Sequence, residues 1–497
     1  RAIVGPDAGT LTTPWISNRL AVGFPVSHGP SLGPDGVGYF GDWVDNRVYK
    51  FDFTTGAVLG SFLTNHFTES VPAICASPFI VCGTDGVCFG IDTSIMDYDW
   101  FVNPNSYMGG SANVGPDGDA VWAMSNGKVY RVHPTTGASV WTMSGYGTPH
   151  GTAVFTRDDL HLVLAHDSTV AMLNYSDGSL AWSRTFPAAM YSPSTAPSGT
   201  ILVGSDDGTI YGLDPANGNT LWTWSTLGQV EGAAAYSPDG TVAYVPSYDD
   251  RLYAIRVSDG TRLWSFTTSL WCVSAPAVGF DGSIYVHNKA GDLYRVSPSG
   301  SQVWQVHLNG ESRGPMTIGP DGTLYVGYTG STSGLAIIRQ QALSLAPTGF
   351  SLLRGSIVSG GLAEAVADDG SYLRMKSGAG ITASDSPLQA IFSGTAPYSP
   401  ENKITITVKA HAATPGLLRV VYLWNAGASH WDQVQSVAET VTDSTTTMTV
   451  PNAQAYTDAS GHYQAKVSWF NTGSALTATW IVSLDYIHFS MVPQFTP

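Results

Sequence analysis

The chain has 497 residues, 12% of them charged, with 22 Lys and Arg against 38 Asp and Glu and a formal net charge of −16. That balance excludes the basic surface that nucleic acid or another polyanion requires. No apolar run reaches the length of a membrane-spanning helix, and the chain is long enough for two domains with sizeable cores.

In chain order, Arg1 stands where an initiator Met would be, with no signal-type apolar stretch after it. The chain is therefore expected to be a mature exported form, extracellular or at the cell surface, with no lipid anchor on its first residue. A short strand is predicted within residues 13–20, around Trp15. Tryptophans then recur at Trp100, Trp141, Trp182, Trp222, Trp264 and Trp304, in steps of 41, 41, 40, 42 and 40 residues. A period near 40 with Asp-Gly and Asn-Gly hairpin signals predicts a β-propeller of four-stranded blades. In the best copy an apolar strand from Gly199 leads to the Asp207-Gly208 turn, an alternating strand, a turn at Gly218 and a last strand holding Trp222.

The repeat counts eight blades, six of them with the Trp. The unit at 31–62 has Gly60 in its place, and blade two replaces the usual Thr-Gly turn by Thr93–Asp99. The eighth unit runs from Gly319 to Ile338 and has no Trp strand. An open strand edge invites aggregation, so residues 13–20 are expected to close the ring as the outermost strand of blade eight. A seven-bladed ring with an irregular eighth unit is the alternative.

The consensus of strand, Asp-Gly, Ile/Leu-Tyr, Leu/Ile/Val-Asp, Thr/Asn-Gly and Trp resembles the quinoprotein (pyrroloquinoline-quinone-type) propeller repeat over about residues 13–340. That family holds quinone-dependent dehydrogenases and non-catalytic relatives, such as the lipoprotein of the outer-membrane β-barrel assembly machine. Its enzymes carry a vicinal disulfide against the quinone and a calcium held by Glu, Asn and Asp. This chain has no adjacent cysteines, so no cofactor-binding residue is carried over. The resemblance points to the non-catalytic branch, with no cofactor and no metal. Cys75, Cys82 and Cys88 crowd into blade two and Cys272 stands alone. Either one disulfide within blade two or buried thiols fits this spacing.

After Arg339 the propeller period stops. The expected division is a propeller over 1–342, a linker over 343–349 and an antiparallel β-sandwich over 350–497, similar in style to jelly-roll accessory modules. Within it, Trp469 and Trp480 read as core, whereas Trp431 is expected between strands as an exposed ring that could stack on a sugar. Asp368-Asp369-Gly370 and Asp458 read as turns or as calcium loops.

Residues just before each innermost strand surround a propeller's axis at one face. Aligning the repeats puts Ser27/His28, Glu69, Gly109/Gly110, His150, Tyr191, Glu231, Ser274 and Arg313 in that ring. Were the protein an enzyme, Glu69, His150, Tyr191, Glu231 and Arg313 would be its acid/base set; His28 and Trp431 are the ligand-binding candidates. The leading expectation is a non-enzymatic structural or adhesive scaffold that works through protein–protein contacts, as in an extracellular filament or surface layer. It would self-associate through its terminal segments. The alternatives are a polysaccharide lyase or hydrolase with a carbohydrate-binding tail, and a soluble glycan-binding protein.

Overall fold

The computed structural model describes residues 4–5, 15–20 and 28–493, apart from 34, 43, 54, 69, 76–77, 104, 280, 309, 320–321, 331–333, 340–342, 346, 379–385, 396–401, 451–452, 457, 459–461 and 473–478. It divides into two compact units, 1–340 and 341–497. Among the described residues no helix is long and apolar enough to cross a membrane.

The first unit is an eight-bladed β-propeller. Blade five is representative: Met190–Thr195, Ile201–Ser205, Thr209–Leu213 and Thr220–Ser225 form an antiparallel meander in chain order. Blade eight is completed from the other end of the unit. Trp15–Leu20 pairs antiparallel with Gly334–Arg339, with Trp15 opposite Arg339 and Leu20 opposite Leu335. The seam to blade one is apolar, joining Phe40, Phe51 and Phe53 to Tyr325, Leu335 and Ile337. Tyr325 Oη donates to Phe53 O across it at 2.6 Å.

The recurring tryptophan explains the period. Its indole N–H reaches a carbonyl in the third turn of the following blade: Trp100 to Pro134, Trp141 to Tyr175, Trp182 to Pro215, Trp222 to Val257 and Trp264 to Pro298, at 2.7–3.0 Å. The ring lies under that turn's glycine. At Gly260, φ is +73° and an added Cβ would lie 2.5 Å from the Trp222 ring. Backbone conformation and close approach thus both demand glycine there. Where blade one has Gly60, the blade-two turn supplies Met96 instead, 3.1 Å from a Cβ built on Gly60. The missing Trp and the irregular turn are two halves of one substitution, backed by Phe62, Phe89 and Tyr98 in edge-on contact.

The second unit is a sandwich of two antiparallel sheets. One runs Ser356–Ser359, Leu373–Lys376, Ile481–Pro493, Asn402–Ala412, Ser444–Val450; the other runs Gly349–Arg354, Leu388–Thr395, His462–Asn471, Leu417–Asn425, His430–Ala438. Inward residues of both sheets make one core that includes Phe392, Trp469, Trp480 and Phe489. The expected linker is partly strand: Leu343–Leu345 pairs with Phe489–Met491.

The described parts of both chain ends pair within their own units. Val4 and Gly5 run parallel to Val278 and Gly279 of blade seven, and Met491, Val492 and Pro493 lie opposite Ile404, Lys403 and Asn402. All four cysteines are free. Alternation along the strands separates Cys82 from the other two: Cys88 and Cys75 pack toward blade three, whereas Cys82 packs toward blade one. Burial pushes the Cys75 and Cys82 thiols up to about 12.

Candidate functional site: the axial funnel

The funnel is built by a repeated backbone contact. The hairpin between the second and third strand of a blade donates an N–H to the connection feeding that blade's own innermost strand. Examples are Asp167 to Thr148 O, Asp206 to Ala189 O and Tyr248 to Gln229 O, at 2.9–3.1 Å. The side chain two residues after that carbonyl then turns to the axis. A cavity of about 490 Å³ opens there, lined by His28, Gly109, Gly110, His150, Tyr191, Glu231, Ser274 and Arg313. These are the ring positions expected from the repeat. Glu69 and Ser27 lie outside the described residues.

The ring residues are held in pairs. His150 stacks on Tyr191, with centroids 4.8 Å apart and planes 20° apart. Its Nδ1 faces Met190 O at 3.2 Å, which places the proton on Nδ1 and leaves Nε2 as the acceptor. Glu231 Oε2 accepts from Tyr248 Oη at 2.6 Å. Arg313 forks onto Glu311 Oε2 with Nε at 3.0 Å and Nη2 at 2.8 Å. Burial raises the Tyr191 phenol above its ordinary range, with the charges of Asp206 and Glu231 adding to it. Burial pulls the His28 imidazole down to about 4, so it is neutral at pH 7.

The most enzyme-like pair is Ser274 with His287, whose Oγ and Nε2 are 2.8 Å apart. That Nε2 also lies 2.8 Å from Gly314 O. A carbonyl can only accept, so Nε2 carries its proton and cannot take one from Ser274. His287 is fully buried, and burial lowers its pKa. The pair is a wall brace and not a nucleophile with its base.

Sequence reasoning missed the rim. Trp271 is 43% exposed and Tyr107 54% exposed, both on connections into innermost strands. Trp271 lies 5.3 Å from Tyr248, and Lys289 Nζ sits 4.8 Å over its ring. The available signal was position: Tyr107 stands two residues before the ring position Gly109, and Trp271 three before Ser274.

In the sandwich, Trp431 is not between strands. It begins the outer strand His430–Ala438, half-buried, edge-on to Trp424 at 5.3 Å and covered by Lys466 Nζ at 4.7 Å. Lys409 Nζ lies 2.6 Å from both Asp368 and Asp485, so an ammonium occupies the place a calcium would take beside that turn. Among the described residues no three His, Cys, Asp or Glu side chains cluster to hold a metal.

The blade geometry agrees with comparison to known proteins. The family described as outer membrane protein assembly factor BamB matches residues 125–270 and 224–371. The propeller is built of quinoprotein-like repeats. A solved BamB from Moraxella catarrhalis is 17% identical with a TM-score of 0.52, covering 66% of this chain and 97% of that one. The computationally designed Ika8 protein is 13% identical with a TM-score of 0.55, covering 64% of this chain and 96% of its own. At these identities the likeness is one of fold. No curated protein sequence matches the chain.

Proposed function

We propose that this chain is a non-enzymatic scaffold, exported to the cell exterior or surface, that binds partner proteins at its funnel face. The observation that carries the reading is the wiring of the funnel. His150 is set by Met190 and Tyr191, Glu231 by Tyr248, Arg313 by Glu311 and Ser274 by His287. Groups tied in this way present a rigid polar floor. The exposed Tyr107, Trp271 and Leu227 around it supply the apolar anchors that protein interfaces use. BamB, to which the repeats are similar, is named as an assembly factor, which agrees with a contact-making role. The described parts of the ends, Val4–Gly5 and Met491–Pro493, pair within their own units, which leaves self-association through the terminal segments as a further proposal beside binding at the funnel.

The exposed rings Tyr107 and Trp271 also favour a second reading, a glycan-binding protein, because aromatic faces pack on pyranose C–H surfaces. One experiment separates the readings. Full-length chain and its Trp271→Ala variant are compared for partner capture from the native envelope, for glycan-array binding and for turnover of uronate and neutral polysaccharides. Capture lost in the variant with unchanged melting supports the scaffold. Array binding lost in the variant supports the glycan reading, and turnover of any polymer sinks both.

A further inference from the structure

One hairpin of the propeller carries more negative oxygen than its turn can use. At the end of the second strand of several blades a small hydroxyl caps the hairpin. Thr84 Oγ1 accepts from Val87 N at 3.0 Å and donates to Val87 O at 2.7 Å. Ser205 Oγ accepts from Thr209 N at 3.1 Å and donates to Thr209 O at 2.8 Å. Ser247 Oγ accepts from Asp249 N at 3.3 Å. A hydroxyl has one donor and room to accept, so it fills the slot.

Blade one has Asp42 there. Its Oδ1 does the capping work, accepting from Val44 N at 2.7 Å and Asp45 N at 3.1 Å. Its Oδ2 is surplus. Asp42 is fully buried, and Oδ2 has no hydrogen-bond donor. Two neighbouring buried oxygens share that condition, Asp45 Oδ1 and Asn46 Oδ1. The nearest cation does not serve them: Arg47 Nε is 3.9 Å from the other Asp45 oxygen, which Tyr49 Oη also binds, and Arg47 Nη1 donates to Ser61 at 2.9 Å. Three buried acceptors without a donor are expensive unless something positive joins them.

Blade six is an internal contrast. It repeats the turn as Asp249-Asp250, with Tyr253 Oη on Asp249 Oδ2 at 2.6 Å and with Asp249 Oδ1 and Asp250 Oδ1 lacking donors. Its slot residue is Ser247, so the third buried oxygen is missing, although Asp250 in place of Asn46 keeps the number of carboxylates at two.

We propose that Asp42 Oδ2, Asp45 Oδ1 and Asn46 Oδ1 bind one hard divalent cation of the calcium class at the blade-one hairpin. Two carboxylates and an amide carbonyl are the donor set such ions prefer, with water and backbone completing the shell. The site is separate from the funnel, since none of the three residues lines that cavity. A proton shared between Asp42 and Asp45 is the competing arrangement. It would relieve only the carboxyl pair and leave Asn46 Oδ1 without a partner.

The test is calcium titration of the full chain by calorimetry, beside melting in calcium, in magnesium and in chelator. Asp42→Thr restores the hydroxyl cap of blade two and removes the surplus oxygen, so it should fold. Asn46→Gly keeps the left-handed turn, where φ is +58°, and deletes the amide. We expect the wild type to bind one more calcium per chain than Asp42→Thr and to melt higher in calcium than in chelator. Asn46→Gly should bind at least tenfold more weakly. Equal stoichiometry in wild type and Asp42→Thr would overturn the proposal. So would wild-type melting that is the same in calcium and in chelator.

Discussion

The propeller and the sandwich both place polar groups inside an all-β body, but they satisfy them differently. In the propeller the partners are near neighbours or sit one blade on, and the same bond recurs around the ring. Five indole N–H groups reach the next blade at 2.7–3.0 Å. In the sandwich one-off networks do the work, Lys409 with Asp368 and Asp485 and, more deeply buried, Arg419 with Glu439. Arg419 is fully buried, its Nη1 3.4 Å from Glu439 Oε2 and its Nη2 donating to Thr446 Oγ1 at 2.8 Å. Glu439 Oε2 also takes the Trp469 indole N–H at 2.9 Å. Repetition spreads the cost of damage, whereas a unique buried charge pair concentrates it.

The largest expected effect follows from that concentration. Glu439→Ala leaves Arg419 charged, buried and alone, and should destabilise the sandwich by about 3–5 kcal/mol. Denaturant unfolding followed by near-ultraviolet signals checks this. A loss below about 1 kcal/mol would mean the pair is solvated and the contrast is false.

The next effect tests the one propeller hairpin that behaves like the sandwich. Burial raises the Asp42 carboxyl from 3.8 to about 6, with the Asp45 charge adding to the rise and the Val44 and Asp45 N–H groups opposing it. A folded-state pKa above the unfolded one means the native state binds the extra proton. Its contribution is therefore present below pH 4 and lost as pH rises through 6, by about 3 kcal/mol at most without a cation. In chelator, the stability of Asp42→Thr relative to wild type should climb between pH 4 and pH 6 and then level off. A difference that stays flat across that window would remove Asp42 from the buried-charge class.

The smallest effect tests repetition itself. Trp222→Phe keeps an aromatic ring beneath Gly260 but leaves Val257 O without its indole donor, costing about 1–2 kcal/mol. Trp182→Phe should cost much the same, and the pair should add to within about 0.5 kcal/mol because the clasps lie at different seams. Strong coupling between them, measured by a double-mutant cycle, would show that the blades do not act as separate clasps.

The site was legible to the extent that it was periodic. His28, His150, Tyr191, Glu231 and Arg313 fall at one phase of the repeat and line one cavity, because a closed ring turns equal phase into equal radius. Tyr248 and Trp271 carry no such mark. Their partnership depends on the hairpin of one blade meeting the connection into the next, with the rings 5.3 Å apart. Trp431 misled for a related reason: its neighbours Ala428, Ser429 and His430 read as loop, but Gly427 and Ser429 only make the tight turn before the strand His430–Ala438.

The sequence by itself determined the all-β class, the eight units, the need for a closing strand and the phase of the funnel, since each follows from local spacing and turn chemistry. Tertiary structure alone decided the rest. It set the proton on His287 Nε2 through Gly314 O, placed Lys409 between Asp368 and Asp485, hid Arg419 beside Glu439 and left Asp42 Oδ2 without a donor. Each of these depends on which atoms meet inside a folded, low-dielectric interior, and the sequence pattern carries no record of such meetings.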